Sequence, residues 1–298
     1  MKSLSPARVS VDNVTKRVGR KAVLEGITLD VPARSFTAIV GPSGCGKSTL
    51  INLIAGYDRP DAGRIAVDGV LVQGPGWDRL VVFQETALFP WKSTLDNVLF
   101  GPRNRGIAPG RALHDAGQLL AKFGLAGFEA KYPTQLSGGM QRRAELARAL
   151  INCPRAMLLD EPFRGLDALT RELMQEYLLR VFEEQPITTL FVTSEVEESI
   201  YLADRVIVLS TSPAVVKDVI EIDLPRPRDV SMLSSTRFGE IHRRILRSLF
   251  EEVSKVFAEG SQGAADLLLG AAGYGLRRSL PDTIPVTAPA PAAGETWS

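Results

Sequence analysis

Short runs of apolar and β-favouring residues recur along this chain, separated by stretches whose apolar positions repeat at helical spacing. Val9, Val11 and Val14, then Ile27, Leu29 and Val31, fall on repeating faces and predict strands from about residue 8 to 31. Ser35-Phe36-Thr37-Ala38-Ile39-Val40 predicts a buried strand, and residues 47–55 predict a helix closed by Gly56. Ile65-Ala66-Val67 and Val70-Leu71-Val72 flank Asp68-Gly69 as a hairpin. After the strand Leu80-Val81-Val82-Phe83 the periodicity turns helical from about 88 to 135, as in Ala112-Leu113 and Leu119-Leu120-Phe123, and a helical run follows at 141–150. Further strands are predicted at 156–160, 188–193, 206–209 and 216–222, with a helix from about Glu195 to Leu202. Phe238, Ile241, Ile245, Leu249, Val253 and Phe257 share one face of a C-terminal helix, expected to pack on the body of the protein rather than on a membrane. Beyond Pro281 the Pro/Ala-rich tail is expected to be disordered.

The junction of the second strand region and the first helix carries the chemistry. Gly41-Pro42-Ser43-Gly44-Cys45-Gly46-Lys47-Ser48-Thr49 fits the spacing G-x-x-x-x-G-K-[ST], with a strand before it and a helix after it. Glycines let successive backbone N–H groups point inward at phosphate oxygens, and the helix N-terminus adds partial positive charge. Lys47 supplies a full charge near the β- and γ-phosphates, and the Ser48 hydroxyl suits Mg²⁺. Cys45, at a helix start, reads as a small spacer or as a reactive thiol; Cys153 reads as a small apolar group.

Downstream, Ala156-Met157-Leu158-Leu159-Asp160-Glu161-Pro162 is an apolar run ending in two carboxylates. A buried parallel strand looks like this, its carboxyl end opening onto a ligand crevice. Alone, the pair fits an acidic strand-end turn equally well. After a phosphate loop, Asp160 is the candidate Mg²⁺ holder and Glu161 the candidate base that polarises the attacking water. A second glycine-rich run, Leu136-Ser137-Gly138-Gly139-Met140-Gln141, heads the helical stretch and forms a second anion-binding helix start.

The phosphate loop, Gln84, the 136–141 run, the 158–162 run and Asp167 occur in the order of the ATP-binding cassette (ABC) ATPases, which the chain resembles from about residue 8 to 230. The resemblance implies an α/β P-loop NTPase of ABC ATPase type, with an antiparallel β subdomain and an inserted helical subdomain at about 88–150. A C-terminal helical extension would then span 231–280, and the tail 281–298. It further implies that Ser137, Gly138, Gly139 and Gln141 bind the γ-phosphate held by a second subunit, either an identical or a related chain. Gln84 would touch Mg²⁺ and the attacking water, and Asp167 would contact the partner across the dimer. Gly74-Pro75-Gly76, residues 82–85, 88–91, 95–98 and 223–228 resemble one branch, the nitrate/sulfonate/taurine-type importers. That branch implies a separate integral membrane permease and an extracytoplasmic substrate-binding protein. The solute is then not touched by this chain, which sits peripherally at the cytoplasmic face of the membrane. Leu88-Phe89-Pro90-Trp91 would face the groove that receives a permease helix; alternatively its apolar residues pack inward.

Composition narrows the alternatives. In 298 residues, 35 Lys and Arg balance 34 Asp and Glu, so there is no electrostatic footprint for nucleic acid. Two cysteines without paired spacing argue against a disulfide scaffold. No apolar run reaches the roughly 20 residues that span a bilayer, and the opening residues hold no signal-peptide core. A soluble ABC protein acting on ribosomes or DNA is disfavoured by the lack of a second cassette and a basic arm.

Two positions depart from the family's pattern. After the strand 188–193 the family usually carries His, where this chain has Ser194-Glu195; His114 and His242 fall elsewhere and read as surface residues. Ser194 donates a hydrogen bond with shorter reach and no imidazole charge. Where the family often stacks an aromatic on adenine, this chain has Val18, which offers apolar contact without a π face. The leading expectation is an energy-coupling subunit that binds and hydrolyses ATP with Mg²⁺ at a dimer interface. The alternative is a poorly hydrolytic or regulatory ATP-binding subunit paired with a more complete relative.

Overall fold

The structure is a computed structural model and describes residues 5–184 and 186–258. Its centre is a six-stranded sheet built from β3 (Phe36–Val40), β6 (Arg79–Val82), β7 (Ala156–Asp160), β8 (Thr188–Val192), β9 (Arg205–Leu209) and β10 (Val216–Glu221). The strand order is β10-β9-β3-β8-β7-β6; β9, β3, β8, β7 and β6 run parallel, and β10 lies antiparallel on the edge. Every residue of β3, β7 and β8 is buried, which is why these strands read as continuous apolar runs rather than alternating ones.

The alternation is hidden between two apolar layers. Phe36, Ala38 and Val40 face one layer with Met157, Leu159 and Phe191, while Ile39 faces the other with Leu158, Leu190 and Val192. The second layer is filled by α1 (Lys47–Ala55) and by the inner face of a four-stranded antiparallel sheet, β1 (Val9–Val18), β2 (Lys21–Val31), β4 (Ala62–Val67) and β5 (Val70–Leu71). Val9, Val11, Val14, Leu24, Ile27 and Val31 point into it. The first layer takes the helices α2 (Thr94–Asn104), α3 (Pro109–Lys122), α4 (Gly138–Leu150), α5 (Ala168–Glu184), α6 (Val196–Leu202) and α7 (Thr236–Ala258). The expected mixed α/β architecture, with an antiparallel β subdomain and helices inserted between β6 and β7, is therefore present.

Local chemistry explains most boundaries. Gly56 caps α1 at φ 82°, and a Cβ there would lie 2.3 Å from the Gly74 carbonyl oxygen, so glycine is required by conformation and by space. Asp68 and Gly69 both take positive φ, the geometry of a tight hairpin turn. Ser93 caps α2 by accepting from the Asp96 N–H. Along α7, Phe238, Ile241 and Ile245 are buried in the core, with Leu249 packed against it. The side chain of Phe257 and the tail beyond Pro281 lie outside the described residues. Phe83 ends outside its strand and is exposed, and the 17-residue α5 is an element the sequence pattern did not reveal. Its apolar residues lie on both faces: Met174, Leu178, Leu179 and Phe182 are buried, but Leu169 and Leu173 face solvent, which blurs the amphipathic period.

One carboxyl group is buried where β8 meets the helical layer. Glu198, 5% exposed, accepts from the Thr193 hydroxyl at 2.5 Å and from the Gln175 amide at 2.8 Å. Burial pushes its pKa from 4.5 up to about 7, against the two hydrogen bonds, with Glu195 adding to the rise and Arg171 opposing it. The folded protein thus holds a proton that the unfolded chain releases between those values, so this contribution to stability is full below 4.5 and is lost as pH rises to about 7. Glu198→Gln stays neutral throughout. Its stability relative to the parent is expected to rise by on the order of 3 kcal/mol between about pH 4.5 and about pH 8. Urea unfolding of both proteins across that range checks this; parallel pH profiles would refute it.

Candidate functional site

Backbone register brings the predicted residues together. β8 lies between β3 and β7, with Ile39 paired to Val192 and Val192 paired to Asp160. The Thr193 N–H donates to the Ile39 carbonyl at 3.1 Å and the Glu161 N–H to the Val192 carbonyl at 2.8 Å. The phosphate loop, the acidic pair and Ser194 therefore leave the sheet side by side, at the carboxyl ends of three adjacent parallel strands.

In the loop after β3, Gly41 and Pro42 are buried while Ser43 and Gly44 are exposed. Gly44 and Gly46 take φ of 72° and 110°, and α1 begins at Lys47, so its first turn points N–H groups at the loop. The Lys47 ammonium, buried, donates to the carbonyl oxygens of Gly41 at 2.9 Å and Pro42 at 3.1 Å, which folds the loop around its own cation. Thr49 is half-buried. Cys45 belongs to the loop by its backbone only: its side chain is buried in the core, and burial pushes the thiol pKa up, so it is not a reactive thiolate. Cys153 is half-buried and likewise raised by burial.

Asp160 is buried at the end of β7, where the Ser48 hydroxyl faces its carboxylate. Burial raises its pKa; the Ser48 contact opposes this, Glu161 adds to it, and Lys47 opposes it. Its Oδ1 has no hydrogen-bond partner. An unpartnered buried carboxylate oxygen beside a hydroxyl is a donor set that suits a hard divalent cation. Among the described residues no cluster of three or more His, Cys, Asp or Glu gathers for a metal. Glu161 sits at φ 42°, a left-handed conformation rare for non-glycine residues. Its Oε2 accepts from Arg164 at 2.9 Å.

Ser194 is exposed in the turn after β8. The turn is braced by the Glu195 N–H, which donates to the Thr193 hydroxyl, itself bonded to Glu198. Glu195 lies 3.6 Å from Arg171, and burial raises its pKa. Val18, at the end of β1, is 61% exposed. His114 is exposed, whereas His242 is half-buried and stacked on Phe238 at 6.3 Å, so it is not a free surface residue.

The remaining candidates lie on the helical side. Ser137 caps α4 by accepting from the Met140 N–H, and Gly138 and Gly139 form its first turn. Gln141 is turned inward: its amide donates to the carbonyls of Pro133 and Leu136, so the side chain locks the helix start instead of projecting from it. Asp167 caps α5 by accepting from the Thr170 N–H, a contact that holds its carboxyl below the usual range. Among the described residues no hydrogen bond joins Ser137, Gly138 or Gly139 to the phosphate loop of the same chain.

Gln84 is exposed in the loop after β6, and this loop holds what the sequence reading missed. Arg142, Glu145 and Arg148 of α4 bond to it, with Arg142 and Glu145 buried as an ion pair at 2.6 Å. The signal was present: opposite charges three residues apart fall on the stripe that also carries buried Ala149, the face of α4 that helical spacing turns inward. Beyond the loop Leu88 is buried, while Trp91 is 71% and Phe100 39% exposed around half-buried Phe89. The Phe89 ring centre lies 5.6 Å from that of Trp91 and 4.7 Å from that of Phe100. Fully buried Asn97 fixes this rim by accepting from the Phe89 N–H and donating to the carbonyls of Phe89, Lys92 and Ser93. Leu88 thus packs inward, as one of the two alternatives for residues 88–91 had it, while Trp91 stays exposed.

Comparison with known proteins agrees with this geometry. The family described as ABC transporter matches residues 24–164. An uncharacterised ABC transporter ATP-binding protein of Methanocaldococcus jannaschii is 44% identical over 252 residues, covering 83% of this chain and 93% of its own length. A taurine import ATP-binding protein of Chromobacterium violaceum is 46% identical over 209 residues, covering 70% and 80%. A dimeric structure of a bacterial ABC transporter cassette is similar with a TM-score of 0.63 at 28% identity, over 73% of this chain and all of that one. The chain belongs to the ABC transporter family as an ATP-binding protein, and it resembles the taurine- and nitrate-import members.

Proposed function

We propose that this chain is the energy-coupling subunit of an importer, hydrolysing ATP at a dimer interface to drive uptake of nitrate, a sulfonate, taurine or a similar small solute through a separate permease. The observation that carries the reading is the convergence of Lys47, the Ser48–Asp160 pair and Glu161 at the ends of neighbouring parallel strands. Backbone N–H groups of the 41–49 loop and the Lys47 ammonium hold the phosphates. Ser48, Asp160 and Gln84 would hold Mg²⁺, which when bound neutralises charge on the β- and γ-phosphate oxygens.

Glu161 orients and polarises the attacking water, accepting its proton as the water oxygen bonds to the γ-phosphorus and the bond from that phosphorus to the β–γ bridging oxygen breaks, releasing ADP and phosphate. Ser137, Gly138 and Gly139 present the N-terminus of α4 to the γ-phosphate of the second subunit, and Asp167 lies along the same interface. The locked side chain of Gln141 leaves it a structural part in that start rather than a direct contact. The Phe89, Trp91 and Phe100 rim receives the permease, with an extracytoplasmic binding protein delivering solute to it. No helix among the described residues is long and apolar enough to cross a membrane, so attachment at the cytoplasmic face runs through that permease.

Ser194 and Val18 favour a second reading, a slow or regulatory subunit paired with a more complete relative. Ser194 offers a single short donor at the turn beside Glu161, and Val18 offers adenine no ring. Losing one preorganised donor to a transition state costs about 10²–10³ in rate.

Purified Glu161→Gln is expected to bind ATP while its hydrolysis falls by roughly 10²–10⁴; turnover at the parent rate would remove Glu161 from the proposed role. Ser194→His is expected to raise the rate; a fast parent enzyme unaffected by the change would show that Ser194 does not limit it. Nucleotide trapping in the complex with the permease separates the two readings, since hydrolysis at this phosphate loop marks a motor subunit. Val18→Tyr is expected to tighten ATP binding by about 1 kcal/mol or more through base stacking, measured by calorimetry, and equal affinities would count against that role.

A further inference from the structure

The loop 83–87, which carries Gln84, has an unusual source of order. Each hydrogen bond from these residues to another part of the chain, among the described residues, ends on a side chain of α4. Arg142 donates to the Phe83 carbonyl at 2.7 Å and to the Gln84 carbonyl at 2.5 Å. The Thr86 hydroxyl donates to Gln141 Oε1 at 3.1 Å. The Ala87 N–H donates to Glu145 at 3.0 Å, and the Ala87 carbonyl accepts from Arg148 at 2.8 Å. The four side chains fall at helix positions i, i+1, i+4 and i+7, one face of α4.

This contact is costly to assemble and specific once made. The side chains of Arg142 and Glu145 are 4% and 2% exposed and pair at 2.6 Å. A buried pair of this kind adds little net stability over an apolar pair of similar volume, so its advantage lies in the geometry it dictates. Here the fork of Arg142 reads two successive carbonyls and fixes the peptide planes on either side of the Gln84 Cα. Arg148 extends the chain of contacts outward, with its guanidinium 5.3 Å from the centre of the Phe89 ring in the exposed rim.

We propose that Arg142 and Glu145, supported by Arg148, are positioning residues that set the Gln84 loop against the start of α4, so that Gln84 and Ser137 move as one body. The inference rests on the ATPase reading of the site. It adds that the orientation of Gln84 is dictated by side chains of the helix that bears the second anion-binding start.

The test uses the full-length chain and the double variant Arg142→Met/Glu145→Leu, which removes both charges while keeping the volume. Its kcat for Mg-ATP is expected to fall roughly 10- to 100-fold with KM within about twofold, the signature of a misplaced group rather than lost binding. Arg142→Lys keeps the charge but lacks the planar fork and is expected to lose about three- to tenfold in kcat. It also carries the test if the double variant does not fold. Amide exchange over residues 83–88 is measured in parallel and is expected to quicken in each variant while exchange in β3 and β7 stays as in the parent. A parent chain that binds ATP without hydrolysing it would defeat the ATPase reading, and the exchange measurement would then decide the clamp alone. Unchanged exchange over 83–88, or unchanged kcat in an active background, would overturn the proposal.

Discussion

Two backbone hydrogen bonds, Thr193 N–H to the Ile39 carbonyl and Glu161 N–H to the Val192 carbonyl, hold the ends of β3, β8 and β7 in step. The rest of the site depends on that step. Side chains alternate along a strand with a period of two, so a slip of one residue would exchange the faces of every side chain on β7 or β8. Phe191, now in the helical layer, would face α1, and Asp160 would no longer lie opposite Ser48. The apolar layers on both faces of the sheet therefore dictate where the polar residues emerge. Because these strands are fully buried, charge enters only where the strands end, and three of them end together.

The buried charges are accommodated in different ways. Lys47 is satisfied by its own loop, through two carbonyl oxygens whose position it helps to define. Asp160 keeps one buried oxygen without a partner, a costly arrangement for a group with no ligand to serve. Glu198 takes up a proton at higher pH than an exposed carboxyl, and its bond to Thr193 braces the turn that carries Ser194. Burial likewise raises Glu145, against Arg142, the Ala87 N–H and Arg148, three partners that favour its charged form. These groups surround the strand ends or the Gln84 loop, whereas the antiparallel sheet contributes an apolar inner face.

Much of this was legible in the sequence where local and global signals coincide. The phosphate loop lies between a β-rich run and a helical one, and Gly56 and the Asp68-Gly69 turn mark boundaries through their backbone conformation. The acidic pair was legible because the apolar run Ala156-Met157-Leu158-Leu159 precedes it. Side-chain direction was harder to read. Cys45 and Gln141 stand inside recognisable motifs, yet one packs into the core and the other bonds back on its own loop. Helix α5 was hidden by Leu169 and Leu173 on its exposed face. The clamp on the Gln84 loop was hidden for another reason: Arg142 and Glu145 look like ordinary surface charges until their helix is known to present that face to a loop more than fifty residues earlier.

The architecture has a mechanical consequence. Ser137 caps the start of α4, and among the described residues no hydrogen bond joins it to the phosphate loop of its own chain. What joins α4 to the catalytic sheet on one side is the 83–87 loop leading out of β6. On the other side α4 runs straight into β7 through residues 151–155, at the end of that strand away from Asp160. The first of these connections leaves its strand at an end that bears a site residue, so a displacement of α4 relative to the sheet is felt next to Gln84. The rim of Phe89, Trp91 and Phe100 follows the first of these connections and is tied to it through Arg148, which donates to the Ala87 carbonyl and lies over the Phe89 ring. Force applied at that exposed rim thus has a short, polar and well-bonded route to the Gln84 loop, whereas the route through the core would require repacking buried side chains.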